Sequence, residues 1–155
     1  MKETSAKSLL YSATTLLALQ ALLVVTGGLV RVTGSGLGCP TWPKCTGDSL
    51  VPVKSNSELH TYIEFGNRML TFALFAAAIA TLATGWKRLE IRKIAWFQFI
   101  GIFGQGILGG ITVLTKLNPI PVAGHLLLSM LLIAGAATLQ FKVNDYREIE
   151  DSPIG

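Results

Sequence analysis

The run HTYIEFGNRML, residues 60–70, sets His60, Glu64, Asn67 and Arg68 inside an otherwise apolar stretch. An imidazole, a carboxylate, a carboxamide and a guanidinium can ligate a metal, move a proton or pair with an anion. At 100° per residue the four fall within one helical arc of about 100°. Ionisable groups in such a stretch must face a bundle interior or a polar cavity. Two readings stay open. One is helix–helix glue, a Glu64–Arg68 pair at i, i+4 with hydrogen bonds around it; the other is a ligand site.

Depth bears on the choice. With a rise of ~1.5 Å per residue, His60 lies about 6 Å and Glu64 about 12 Å along their helix. His125, the other of the chain's two histidines, lies about 9 Å along a later helix. Arg31 is the second-last residue of the first apolar run. Two histidines at one level on separate helices are suited to a metal. Zinc wants a third protein ligand; Glu64 can supply it, but no second carboxylate or thiolate lies near. Haem needs only imidazoles on the iron and arginines for its propionates. The set therefore reads as a haem site: His125 and His60 toward the iron, with Arg68, Arg31 and Asn67 contacting the cofactor.

The elements that must carry these residues follow from composition. The chain has 155 residues, of which 50% are hydrophobic and 14% charged, with mean hydropathy +0.52. A soluble domain usually carries about a quarter charged residues. A membrane span needs ~20 apolar residues, and four runs qualify, near 8–32, 60–86, 94–115 and 119–141. The fold class is an all-α integral membrane bundle of four transmembrane helices, a single domain over 1–155, with membrane lipid around it. No room remains for a soluble catalytic domain. The first run is too long for a signal-peptide core and lacks a small-x-small cleavage site, so it is expected to be retained.

The net charge of +4 is a topology signal and does not point to nucleic acid. Lys2 and Lys7 precede the first helix, while Lys87, Arg88, Arg92 and Lys93 crowd the connection between the second and third. Short basic segments stay on the cytoplasmic side. Both termini are thus expected inside the cell membrane, and the loop 33–59 outside it. That loop holds both cysteines, in GCPTWPKC: Cys39 and Cys45. A disulfide can persist there, either as a staple or as an exchangeable electron carrier.

Helix starts are marked by a capping-box pattern at Ser55-Asn56-Ser57-Glu58 and by Asn118-Pro119. Gly106 and Gly110 have the spacing that permits close helix approach. GGLVRVT (27–33) and GGITVLT (109–115) form a weak internal repeat, each followed by a loop and a histidine-bearing helix. The bundle then reads as two related helix pairs, an arrangement that tends to bind ligands between the repeats. TGSGLG (33–38) lacks the strand–turn–helix context of a nucleotide loop and reads as a flexible exit from helix 1.

GGLVRVTGSGLGCPTWPKC, IEFGNR and GGITVLTKLNPIPVAGHLLLS together resemble the N-terminal half of haem A synthase in its actinobacterial form, from about Gly27 to Ser129. That family has eight transmembrane helices in two homologous halves, each with a haem site near the outer surface, and converts haem O to haem A for cytochrome oxidase by oxidising a ring methyl to a formyl. The resemblance implies haem O as substrate in this half and haem b in a partner half. It implies an oxidative role for Glu64, a matching arginine in Arg68, an iron ligand in His125, and a reducing-equivalent role for Cys39 and Cys45. It further implies a second four-helix half or a homodimer, and contacts with haem O synthase and a quinone.

Two departures stand out. Asn67 replaces the histidine of the family's E-x-x-H-R motif, leaving His125 alone on iron or joined by His60. The chain is also half-sized, which fits a short form, a truncation or one member of a pair. The competing reading is a haem b electron-transfer module, and a third is a non-catalytic assembly partner.

Overall fold

A computed structural model describes residues 2–45, 47–51 and 58–151. Its helices are α1 (Lys2–Val32), α2 (Glu58–Gly85), α3 (Leu89–Leu114) and α4 (Pro119–Asp151), and the described residues contain no β-strand. All four are long and apolar enough to cross a membrane. Neighbours form a closed ring, α1 on α2, α2 on α3, α3 on α4 and α4 on α1. Hence α2 and α4 stand at opposite corners, as do α1 and α3.

The helices outrun the apolar segments that predict them. α1 includes residues 2–7, α4 continues through 142–151, and α3 starts at Leu89 instead of 94. Hydropathy marks where a helix lies in hydrocarbon, while Lys, Arg and Glu extend helices readily beyond it. The basic residues of the α2–α3 connection consequently divide. Only Trp86–Arg88 form the turn, and Arg92 and Lys93 belong to the first five residues of α3. Two cation–π contacts tie this end together, Arg88 over Tyr146 and Arg92 over Trp86, each 5.5 Å from the ring centroid. Trp86, Trp96, Phe99 and Phe75 continue inward as a chain of ring contacts.

The hydrophobic core occupies one half of the bundle. Leu9, Ala13 and Leu16 of α1 meet Leu74, Ala77 and Ala78 of α2, Ile91 and Ile102 of α3, and Leu132, Leu139 and Val143 of α4. These positions lie toward the α2–α3 turn. At mid-length Gln20 Nε2 donates to Gln98 Oε1 (3.0 Å) and Gln98 Nε2 donates to the Leu132 carbonyl (2.9 Å). This buried chain joins α1, α3 and α4 and satisfies amides that would be costly in hydrocarbon. Beyond it, toward the 33–57 connection, the buried set turns polar: Thr61, Glu64 and Thr112 with Val113, Ser35 and the two cysteines.

The internal repeat reappears as a repeated cap. Ser35 N–H reaches the Val30 carbonyl and Gly34 N–H the Arg31 carbonyl; Leu117 N–H reaches Thr112 and Lys116 N–H reaches Val113. This is the Schellman pattern at both ends. In each, the threonine hydroxyl of the repeat, Thr33 or Thr115, bonds back to the carbonyl four residues earlier. The left-handed position is glycine in the first cap (Gly34, φ 69°) but Lys116 and Leu117 in the second (φ 53° and 61°). α4 begins as predicted, with Asn118 Oδ1 accepting from Ile120 N–H (3.0 Å) ahead of Pro119. The capping-box reading at Ser55–Glu58 lies outside the described residues.

Candidate functional site at the loop end of the bundle

Glu64 and Arg68 share one face of α2, as their spacing requires, and that face is turned to the disulfide loop. Glu64 is only 5% exposed. Its Oε1 accepts from Arg68 Nη2 at 2.6 Å, and its Oε2 accepts from the backbone N–H of Cys39 at 2.8 Å. Arg68 continues the grip. Nη2 donates to the Cys39 carbonyl (2.8 Å), and Nη1 to the carbonyls of Thr41 (3.1 Å) and Lys44 (3.4 Å). Cys39 and Cys45 are joined in a disulfide and almost wholly buried. The glue reading is therefore met in a more specific form: the pair fastens a loop, not a neighbouring helix. Charge-assisted bonds of this kind are the stronger class, and removing one member of a buried pair typically costs about 3–5 kcal/mol.

Two of the three glycines of TGSGLG, Gly36 and Gly38, fit closely against their neighbours, which corrects their reading as a flexible exit. A Cβ on Gly36 would meet the Leu117 side chain. One on Gly38 would stand 2.6 Å from the His60 carbonyl oxygen and 2.8 Å from Thr61 Cα. Those are backbone atoms of α2 and cannot swing aside. Gly38→Ala is expected to lift the loop off α2 at an overpacking cost of about 1–3 kcal/mol. Limited proteolysis within 39–51 should accelerate relative to the native chain, and equal cleavage rates would contradict the close fit.

The loop crosses to α3 through Trp42. Its indole sits against Gly110, where a Cβ would come within 2.5 Å of the ring. A glycine predicted to bring helices together instead seats a tryptophan. One residue earlier, Gly109 seats His125: a Cβ there would lie 3.2 Å from Cε1 of the imidazole and 3.7 Å from Nδ1. The His125 ring thus lies at the α3–α4 contact beside the loop, and its Nδ1 is buried with no hydrogen-bond partner.

The remaining candidates scatter around this core of the site. His60 is exposed in the first turn of α2, and its Nδ1 shares a 2.8 Å hydrogen bond with Ser35 Oγ. Asn67 Oδ1 accepts from Thr26 Oγ1 at 2.7 Å, a link between α1 and α2. Arg31 is exposed in the last turn of α1. The structure brings Glu64, Arg68 and the disulfide into contact. It sets His125 on the adjoining α3–α4 face, and leaves His60 and Arg31 at the rim. Among the described residues no group of three or more His, Cys, Asp or Glu side chains could hold a metal ion. His125 is a half-buried imidazole whose Nδ1 has no hydrogen-bond partner, and imidazole is a usual protein ligand to haem iron.

Three participants escape sequence reasoning: Trp42, Gln105 and Ser35. The visible signal for Gln105 was a carboxamide amid apolar residues in GIFGQGILGG. Its Nε2 donates to the His125 carbonyl (2.8 Å) and to Ser129 Oγ.

Residues 11–153 match the family model described as cytochrome oxidase assembly protein. The chain belongs to that family. Among relatives, it is 32% identical over 115 residues to a haem A synthase of Lysinibacillus sphaericus, covering 72% of this chain and 37% of that protein. It is 32% identical over 123 residues to a haem A synthase of Exiguobacterium sibiricum, covering 76% and 40%. A third, from Geobacillus thermodenitrificans, is 31% identical over 101 residues. The chain spans about two fifths of the length of the first and second of these relatives. The family match takes in α2 to α4 and most of α1, so Glu64, Arg68, His125 and the disulfide loop of this cytochrome oxidase assembly family member all lie inside it.

Proposed function

We propose that this chain is the substrate-binding four-helix unit of a haem A synthase. It holds haem O in the loop-side half of the bundle, where a ring methyl is oxidised to a formyl. One observation carries the reading beyond family membership: the apolar core fills only the half of the bundle away from the disulfide loop. The other half presents His125, Glu64 and Arg68 around a loop roof. The positive-inside pattern puts that roof on the outer side of the cell membrane.

In this reading His125 is the iron ligand, and His60 is the candidate second ligand from the opposite corner of the ring. Arg68 and Arg31 serve the propionates, with Asn67 holding α2 to α1. The macrocycle and its iron supply the oxidising chemistry. The net change joins a methyl and one water to give a formyl, four protons and four electrons. Those electrons leave to an acceptor of the quinone or disulfide class. Glu64 contributes negative charge beside the reacting carbon, where positive character develops, and its two oxygens keep lone pairs beyond those given to Cys39 and Arg68. A second four-helix half or a second copy of this chain carries the resident haem b.

A second reading has its own support. Both Glu64 oxygens are already engaged, Oε2 by the loop N–H of Cys39 and Oε1 by Arg68 of its own helix, as expected of a pure clamp in a haem b electron-transfer module. Identifying the porphyrin separates the two. The chain purified from cells that make haem O should yield haem O or haem A by chromatography, with a matching pyridine haemochrome spectrum. Haem b alone would favour the electron-transfer module, and no porphyrin at all would leave a non-catalytic assembly partner.

A further inference from the structure

Two buried side-chain atoms among the described residues lack hydrogen-bond partners, Gln105 Oε1 and His125 Nδ1. They belong to two residues already in contact, since the Gln105 amide donates to the His125 carbonyl and to Ser129 Oγ. The orientation of that amide is fixed by chemistry. A backbone carbonyl can only accept, so Nε2 must face it and Oε1 must point away. Ser129 Oγ also donates to the same carbonyl at 3.0 Å, which closes that side of the network. A buried acceptor left unmade costs about 1–3 kcal/mol, and so does a buried ring nitrogen. One unmet acceptor and one ring nitrogen able to carry a proton complement each other.

A metal-bound histidine nearly always donates its second ring N–H to an acceptor. That bond fixes the tautomer, orients the ring and raises ligand basicity. We propose that Gln105 is the positioning residue for His125. Its Oε1 takes the Nδ1–H, directly or through one water, so that the Nε2 lone pair is presented to iron. Gly109 completes the arrangement, because a Cβ there would stand 3.2 Å from Cε1 and the ring would have to give by a few tenths of an ångström. The proposal rests on His125 being the haem ligand and adds what holds that ligand in its working tautomer.

The test uses the full chain loaded with haem b as a probe, and compares Gln105→Leu, Gln105→Glu and Ser129→Ala. Gln105→Leu removes the acceptor, and haem affinity should fall about 10–100-fold. The midpoint potential of the haem that remains should rise, because a less basic imidazole favours ferric iron less. Gln105→Glu should restore affinity and move the potential the other way, with a higher iron–imidazole stretching frequency in the ferrous form. Ser129→Ala should leave the potential unchanged while loosening the α3–α4 contact. If Gln105 acts only as a helix tie, Gln105→Leu and Gln105→Glu will both lower thermal stability with the potential of bound haem unmoved, which overturns the proposal. Should Gln105→Leu fail to fold, the sign of the Gln105→Glu shift alone decides. Haem retained unaltered in His125→Ala would instead sink the ligand assignment, a separate failure from this one.

Discussion

His125→Ala is expected to strip haem from the chain. Removal of an outer-shell partner alone costs about 10–100-fold in metal affinity, so loss of the ligand itself should cost at least that. The expectation rests on where the ring lies. His125 is seated on Gly109 at the α3–α4 contact, in the half of the bundle that the apolar core leaves to polar groups. His60 is placed differently, exposed and already bonded to Ser35 Oγ through Nδ1. His60→Ala should therefore keep most of the haem. A changed spin state in that variant would make His60 Nε2 the second ligand, reaching across the diagonal between α2 and α4. An unchanged spectrum would leave it a partner of Ser35 alone. Absorbance titration of both variants with haem b measures the affinities, and native-like occupancy in His125→Ala would remove it as the ligand.

Local rules carried the architecture because each span is written in contiguous residues. Four apolar runs, Asn118-Pro119 and the i, i+4 pair of Glu64 and Arg68 each depend on short spacings and appear as expected. The repeat of GGLVRVT and GGITVLT proved deeper than its letters, since both segments end in the same cap with the same threonine back-bond. Partners across elements were not readable. Whether Arg68 meets a helix or the carbonyls of a loop depends on how that loop folds over the bundle, which no spacing encodes. Trp42 on Gly110, Asn67 on Thr26 and Gln105 on His125 depend likewise on the rotation of one helix against another. The true ends of α1, α3 and α4 escaped for a simpler reason: the sequence count tracked hydrocarbon, and charged residues continue the helices past it.

Glu64→Gln is expected to leave haem bound through His125 while formation of haem A falls by on the order of 10²–10³ in rate, the usual loss for a key electrostatic group. The substitution keeps shape and one acceptor oxygen but deletes the charge, and the structure adds a complication. Native Glu64 meets two donors, Cys39 N–H and Arg68 Nη2, and a glutamine can face only one with oxygen. The Nε2 must confront the other, so the loop clamp weakens as the charge is lost. Arg68→Lys resolves the two effects: it keeps a cation beside Glu64 but loses the fork that spans the carbonyls of Cys39, Thr41 and Lys44. If Glu64 works through its charge on the substrate carbon, Glu64→Gln should cut haem A output far more than Arg68→Lys, at equal loop exposure. If it works as a clamp, the two variants should lose output in proportion to loop release, read by proteolysis within 39–51 and by faster reduction of the disulfide. Haem O and haem A are separated by chromatography from the assembled enzyme, with any second half present. Normal haem A output from a stable Glu64→Gln protein would end the catalytic role of the carboxylate. Glu64 would then be a residue that holds the roof, and the electron-transfer reading would lead.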